Sequence, residues 1–114
     1  MAKKEFNKLV RDKIPEIILR NGGTPEYEIL KGDEYIKMLD NKLLEECNEV
    51  LSALDTQDKI EELADLMEVI MAIAKYLKID FKKLENMRLE KRSKRGGFDS
   101  KIFLKSTKLI EKLG

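Results

Sequence analysis

Apolar residues recur at helical spacing in three long segments of the chain. The segments run over 33–54, 55–77 and 80–94, and each opens with an aspartate or threonine that can cap a helix. In the first, one face collects Ile36, Leu43, Cys47, Val50 and Leu54. Because the connections are short, the pattern predicts antiparallel neighbouring helices.

The remaining segments predict shorter elements. Pro15 suits the first turn of a short helix to about Arg20, which Gly22 or Gly23 would end in a left-handed cap. Alternation of apolar and acidic residues predicts a minor short strand near 24–30. The stretch TKLIEKLG predicts a terminal helix. The expected fold class is all-α, an antiparallel helical bundle.

The helix predicted over 55–77 carries two lines of residues at helical spacing. One line is apolar throughout and is expected to pack within the chain: Ile60, Leu63, Met67, Ile70, Ala74 and Leu77. The opposite line begins with carboxylates and becomes apolar: Glu62, Asp65, Val69, Ala72 and Tyr76. A short chain does not cover both faces from within, so self-association is expected.

Composition indicates one domain over residues 1–114, with charges that are segregated although they nearly cancel. Residues 45–68 hold nine acids and a single base, and residues 82–95 hold seven bases and two acids. A net charge of +1 argues against a nucleic-acid partner. No secretory leader or bilayer-length apolar run is visible, so a cytoplasmic protein without membrane contact is expected. The absence of histidine excludes the usual zinc sites.

Four carboxylates are predicted to meet where the first two long helices face each other. Glu46 and Glu49 near the end of one would come level with Glu62 and Asp65 near the start of the next. At ~4 Å and an effective dielectric near 20, each pair of charges repels by about 4 kcal/mol, against a total stability of roughly 5–15 kcal/mol. Protons or cations must relieve this repulsion, and carboxylates alone favour Mg²⁺ or Mn²⁺.

Three motifs resemble a known enzyme superfamily. EECNE, followed after twelve residues by ELAD, is similar to the EExxE…ExxD signature of the all-α nucleoside triphosphate pyrophosphohydrolases. FNKLVRDKIPEII and EKRSKRGGF resemble its small MazG-like, phosphoribosyl-ATP-pyrophosphohydrolase-like branch. Taken together, the resemblance covers nearly the whole chain, from Phe6 to about Leu104.

The resemblance implies magnesium-dependent hydrolysis between the α- and β-phosphates of a nucleotide, giving a monophosphate and pyrophosphate, with clearance of the nucleotide pool as the expected role. It implies Glu46, Glu49, Glu62 and Asp65 as metal ligands, with Glu49 as the candidate that orients or deprotonates water. It also suggests a homodimer or homotetramer. Phosphoribosyl-ATP is an alternative substrate, and a non-catalytic helical binding or assembly module is the alternative of another class.

A polyphosphate substrate also needs cations. The candidates for phosphate binding are Lys8, Arg11 and Lys13 near the start of the chain and Lys91, Arg92, Lys94 and Arg95 before a glycine turn. Asn7 and Phe98 are candidates for contact with the base or ribose, with a place in the core as the alternative for Phe98.

Overall fold

The computed structural model describes residues 3–108 and forms four helices there. These are α1 (Ile14–Arg20), α2 (Gly32–Ser52), α3 (Thr56–Tyr76) and α4 (Phe81–Arg95). The all-α prediction is confirmed. The terminal helix predicted for TKLIEKLG lies mostly outside the described residues.

Local sequence sets most of the helix ends. Pro15 lies in the first turn of α1, and Gly22 follows that helix with a φ of 88°, as predicted for a left-handed cap. The Asp55 carboxylate accepts a hydrogen bond of 2.8 Å from the Asp58 N–H and caps α3. The predicted cap of α2 is wrong: the N-cap is Lys31, and Asp33 lies in the first turn, where its charge complements the helix dipole.

The minor strand expected near 24–30 does not form. Residues 23–31 are irregular, and Tyr27 and Ile29 are 66% and 77% exposed. An isolated extended segment needs a second strand to satisfy its N–H and C=O groups. Residues 3–108 contain no strand, so the segment near 24–30 has no partner with which to form a sheet.

Helices α2 and α3 form an antiparallel hairpin. Their only connection is residues 53–55. Near the open end the rings of Tyr35 and Tyr76 lie 5.8 Å apart, and near the connection Glu46 lies beside Glu62 and Asp65. The hairpin therefore sets the start of one helix beside the end of the other, as predicted.

The face that α3 turns toward α2 is the reverse of the prediction. Val69 is buried, and Glu62, Asp65, Ala72 and Tyr76 on the same side are half-buried. The stripe expected in the core is largely exposed, with Ile60 at 54% and Met67 at 53%, and Ala74 is its one buried member. Both lines are apolar beyond Leu66, so periodicity could not choose between them. In the structure, the line of α3 that begins with carboxylates faces α2.

The apolar stripe predicted for α2 is also displaced. Leu39 is 4% exposed and is the most buried apolar side chain described, and Glu46, two turns later on the same face, is 8% exposed. Ile36, Leu43, Cys47 and Val50 are half-buried, whereas Leu54 falls beyond the end of the helix and is 93% exposed.

The chain divides into two compact units, Met1–Phe81 and Lys82–Gly114. The first holds α1 and the α2–α3 hairpin, and the second holds α4 beyond its first residue. The prediction of one domain over 1–114 stays a prediction. Among the helices described, none is both long enough and apolar enough to cross a lipid bilayer.

Candidate functional site

Three carboxylates converge near the connection of the hairpin. Glu46 comes from α2, and Glu62 and Asp65 come from neighbouring turns of α3. Each offers one oxygen, and these oxygens all lie within 4.8 Å of one another. Oxygens that ligate one divalent ion at about 2.0–2.6 Å are at most roughly 4–5 Å apart. The donor set and its spacing therefore suit a hard divalent cation such as Mg²⁺.

Glu46 is the buried member of this carboxylate cluster (Glu46, Glu62 and Asp65). It is 8% exposed, and the Lys42 ammonium lies 3.5 Å from its Oε1 and 3.3 Å from Oε1 of Glu45. Burial of a carboxylate is costly unless a counter-charge accompanies it. Lys42, one turn earlier on α2, supplies that counter-charge in the structure.

The pKa of the Glu62 carboxyl is raised above its ordinary value of 4.5. Its partial desolvation is the first cause, followed by the negative charges of Asp65, Glu49, Glu46 and Asp58. Glu49 is exposed and lies outside the cluster of three, so the structure brings together three of the four predicted ligands. The negative charge of Glu49 nevertheless contributes to the raised pKa of Glu62.

The raised pKa predicts how Glu62 affects stability as the pH changes. The folded state holds the Glu62 proton more tightly than the unfolded state, so its contribution to the free energy of unfolding is present at low pH. This contribution is lost as the pH rises from about 4.5 through the elevated pKa. Without metal, Glu62→Gln is therefore expected to raise the melting temperature at pH 7 and to flatten its decline between pH 4 and 7. Thermal melts over this range measure the effect.

Glu61→Gln is the matched control, because Glu61 is the preceding residue and is exposed. Equal gains in melting temperature from both variants would show a general effect of net charge and would contradict a specific repulsion at Glu62.

The segment before α1 places cations against these acids. Arg11 Nη2 lies 2.6 Å from Asp65 Oδ1, and Lys8 Nζ lies 3.3 Å from Glu45 Oε1. These pairs join residues far apart in sequence, so they hold the segment against the hairpin. Both pairs are largely solvent-exposed, which keeps each of them weak.

A groove of about 1210 Å³ runs along the hairpin from the carboxylate cluster. At the end near the carboxylate cluster, the groove is lined by two cations and two acids: Arg11, Lys42, Glu46 and Asp65. Leu39, Val69 and Ala72 line it farther along, and Tyr35 and Tyr76 lie beyond them. From Glu46 to Tyr35 the helix advances by roughly three turns or 16 Å. The groove thus runs from the carboxylate end past an apolar wall to the two tyrosines, where Lys75, Lys78 and Asp80 also line it.

The other predicted contact residues are spread over both units. Lys13 lines the groove, and Asn7 is exposed with a φ of 47°. In the second unit Lys91, Lys94 and Arg95 line a shallow depression of about 260 Å³ on α4, and Lys94 pairs with Glu90 at 3.0 Å. Arg92 lies 3.4 Å from Asp99. Phe98 is 97% exposed, so it is not a core anchor. Roles in substrate binding for these residues stay predictions.

The groove is also lined by residues that were not predicted as site residues, among them Lys42, Tyr35 and Tyr76. Lys42 had a signal in the sequence, since its position four residues before Glu46 allows an ion pair on one helix face. Tyr35 and Tyr76 had none, because each reads alone as an ordinary half-buried residue. Their meeting depends on the register of the two helices.

Part of the chain is similar to a known protein. A protein of Mycolicibacterium smegmatis (strain ATCC 700084 / mc(2)155), described as uncharacterized, is 54% identical over 50 residues, which cover 44% of this chain and 50% of that protein. The match thus spans about half the length of this relative. No protein-family model matches the chain. No solved structure matches it.

Proposed function

We propose that this protein is a magnesium-dependent nucleoside triphosphate pyrophosphohydrolase. The observation that carries the proposal is the convergence of Glu46, Glu62 and Asp65 within 4.8 Å at one end of a groove. The similarity of the EECNE and ELAD motifs to the all-α pyrophosphohydrolases supports the same reading. The reaction would cleave the bond between the α- and β-phosphates.

The three clustered carboxylates would hold Mg²⁺, with Mn²⁺ as a substitute. When bound, the ion offsets the negative charge that grows on the phosphate oxygens during transfer. Arg11 and Lys42 line the same end of the groove and would bind the polyphosphate. The apolar wall at Leu39, Val69 and Ala72 would lie against the nucleoside.

Glu49 is our candidate for the general base. It is exposed, it lies outside the cluster, and its charge still acts on Glu62. A carboxylate in this position can take the proton of a water molecule whose oxygen attacks the α-phosphorus. The bridging oxygen then leaves with pyrophosphate, and the nucleoside monophosphate remains.

Self-association belongs to this proposal. The exposed stripe of α3 is apolar, and α2 adds Leu44 and Leu51 at 65% and 77% exposure. Exposed apolar surface on this scale marks an association site. A homodimer or homotetramer would cover it, and clearance of the nucleotide pool would take place in the cytoplasm.

The length of the groove favours phosphoribosyl-ATP as a second candidate substrate. The tyrosine pair lies roughly 16 Å along the hairpin from the cluster. A nucleotide with a second sugar phosphate on its base would extend farther along such a groove than a simple triphosphate.

A nucleotide panel tests the proposal. Nucleoside triphosphates, their deoxy forms and phosphoribosyl-ATP would each be incubated with Mg²⁺ or with chelator, and pyrophosphate would be measured. We expect metal-dependent release from at least one of them. A folded, associated protein without turnover on any would overturn the enzymatic proposal and favour the non-catalytic assembly module.

A further inference from the structure

One cation of the groove has its charge held by the carboxylate cluster itself. Arg11 Nη2 donates to Asp65 Oδ1 at 2.6 Å, and both residues line the same end of the groove. Lys42 lies 3.5 Å from Glu46 Oε1, but it also donates to Glu45 Oε1 at 3.3 Å, outside the cluster. Asp65, which is expected to bind a divalent cation, is thus the group that now neutralises Arg11.

These two uses of the same carboxylate compete. An Asp65 oxygen that ligates a divalent ion is a poorer acceptor for Arg11, because the ion withdraws negative charge and occupies a lone pair. Arg11 keeps its charge at any physiological pH and must then find another anion. The exchange is easy, since the Arg11 and Asp65 side chains are 58% and 42% exposed and such a pair is weak.

We propose that Arg11 becomes available as a phosphate ligand only when Asp65 ligates a divalent cation. This inference rests on the proposed function and adds an order of binding to it. Without the cation, Asp65 occupies Arg11, and the clustered carboxylates also repel an incoming polyphosphate. With the cation, the same end of the groove presents positive charge to the substrate.

The proposal requires reciprocal coupling between metal and polyphosphate, together with opposite effects of one substitution. Arg11→Ala removes a competitor from Asp65, so Mg²⁺ alone should bind about 5-fold more tightly, at the low end of typical coupling factors. The same variant loses a phosphate ligand, so inorganic pyrophosphate should bind at least about 10-fold more weakly at saturating Mg²⁺.

Isothermal titration measures both affinities directly, with Mg²⁺ alone and then with inorganic pyrophosphate at saturating Mg²⁺. Arg88→Ala is the matched control, since it removes an exposed arginine that pairs with Glu85 outside the groove. It should leave both affinities unchanged. Arg11→Lys keeps the charge without the planar guanidinium and should fall between wild type and Arg11→Ala in both titrations.

The outcomes separate the two proposals. If the wild-type protein fails to bind Mg²⁺, the metal site and the proposed function both fail. If it binds Mg²⁺ and releases pyrophosphate from a nucleotide, but Arg11→Ala weakens the binding of both ligands or changes neither, the proposed coupling through Arg11 is overturned and the proposed function stands. Circular dichroism of each variant verifies that the helices remain.

Discussion

Glu46→Gln is expected to lower magnesium-dependent pyrophosphate release on the order of 10³-fold in kcat/KM, as loss of a preorganised electrostatic group does in other sites. Glu46 is the buried ligand of the proposed site, so packing within the hairpin holds its carboxylate in place. Glutamine has nearly the same shape, so the packing of this buried side chain should persist. Steady-state kinetics on the best nucleotide of the panel would measure the loss.

A binding readout makes this prediction independent of turnover. Ligand binding stabilises a folded protein by about 2.7 kcal/mol at a concentration 100-fold above Kd. Wild type should therefore melt higher with Mg²⁺, and Glu46→Gln and Asp65→Asn should lose most of that gain. Glu61→Gln, on the exposed side of α3, should keep both the gain and the activity. Full activity in Glu46→Gln would remove the carboxylate cluster from the mechanism.

Met67→Lys is expected to convert an associated protein into a monomer. Met67 lies in the middle of the exposed stripe of α3 and is 53% exposed. Burial of such a side chain contributes roughly 1.5–3 kcal/mol, and a twofold interface contains it twice. Loss of both copies, with a lysine charge placed at each, should weaken association at least about 10²-fold. Sedimentation velocity over a range of protein concentrations would measure the change.

Gln57→Lys is the matched control, because it adds the same charge on α3 at an exposed polar position. It should leave the association state unchanged. A wild-type protein that is monomeric at micromolar concentration would contradict the prediction outright, and the apolar stripe would then need another partner.

The sequence predicted the elements better than their orientation. Helical spacing and the aspartate before α3 give that helix almost its observed limits, since caps and periodicity are local properties. Convergence of Glu46, Glu62 and Asp65 also followed from the short connection of the hairpin. These inferences needed only the geometry of a helix and a tight turn.

The rest depended on contacts between distant parts of the chain. Both lines of α3 are apolar beyond Leu66, so periodicity alone could not select the line that faces α2. The Arg11–Asp65 pair joins residues 54 positions apart, beyond the reach of any local pattern. The prediction of a strand near 24–30 was wrong for a related reason. A strand needs a second segment to pair with, and the sequence pattern indicated only one.

Among the described residues, the buried apolar side chains are those of Leu39, Val69 and Ala74. Such a small interior leaves a lone subunit only marginally favoured over its unfolded state. If the exposed stripe of α3 meets its counterpart, folding and assembly become a single equilibrium governed by mass action. Dilution would then partly unfold each subunit as well as separate it from its neighbour.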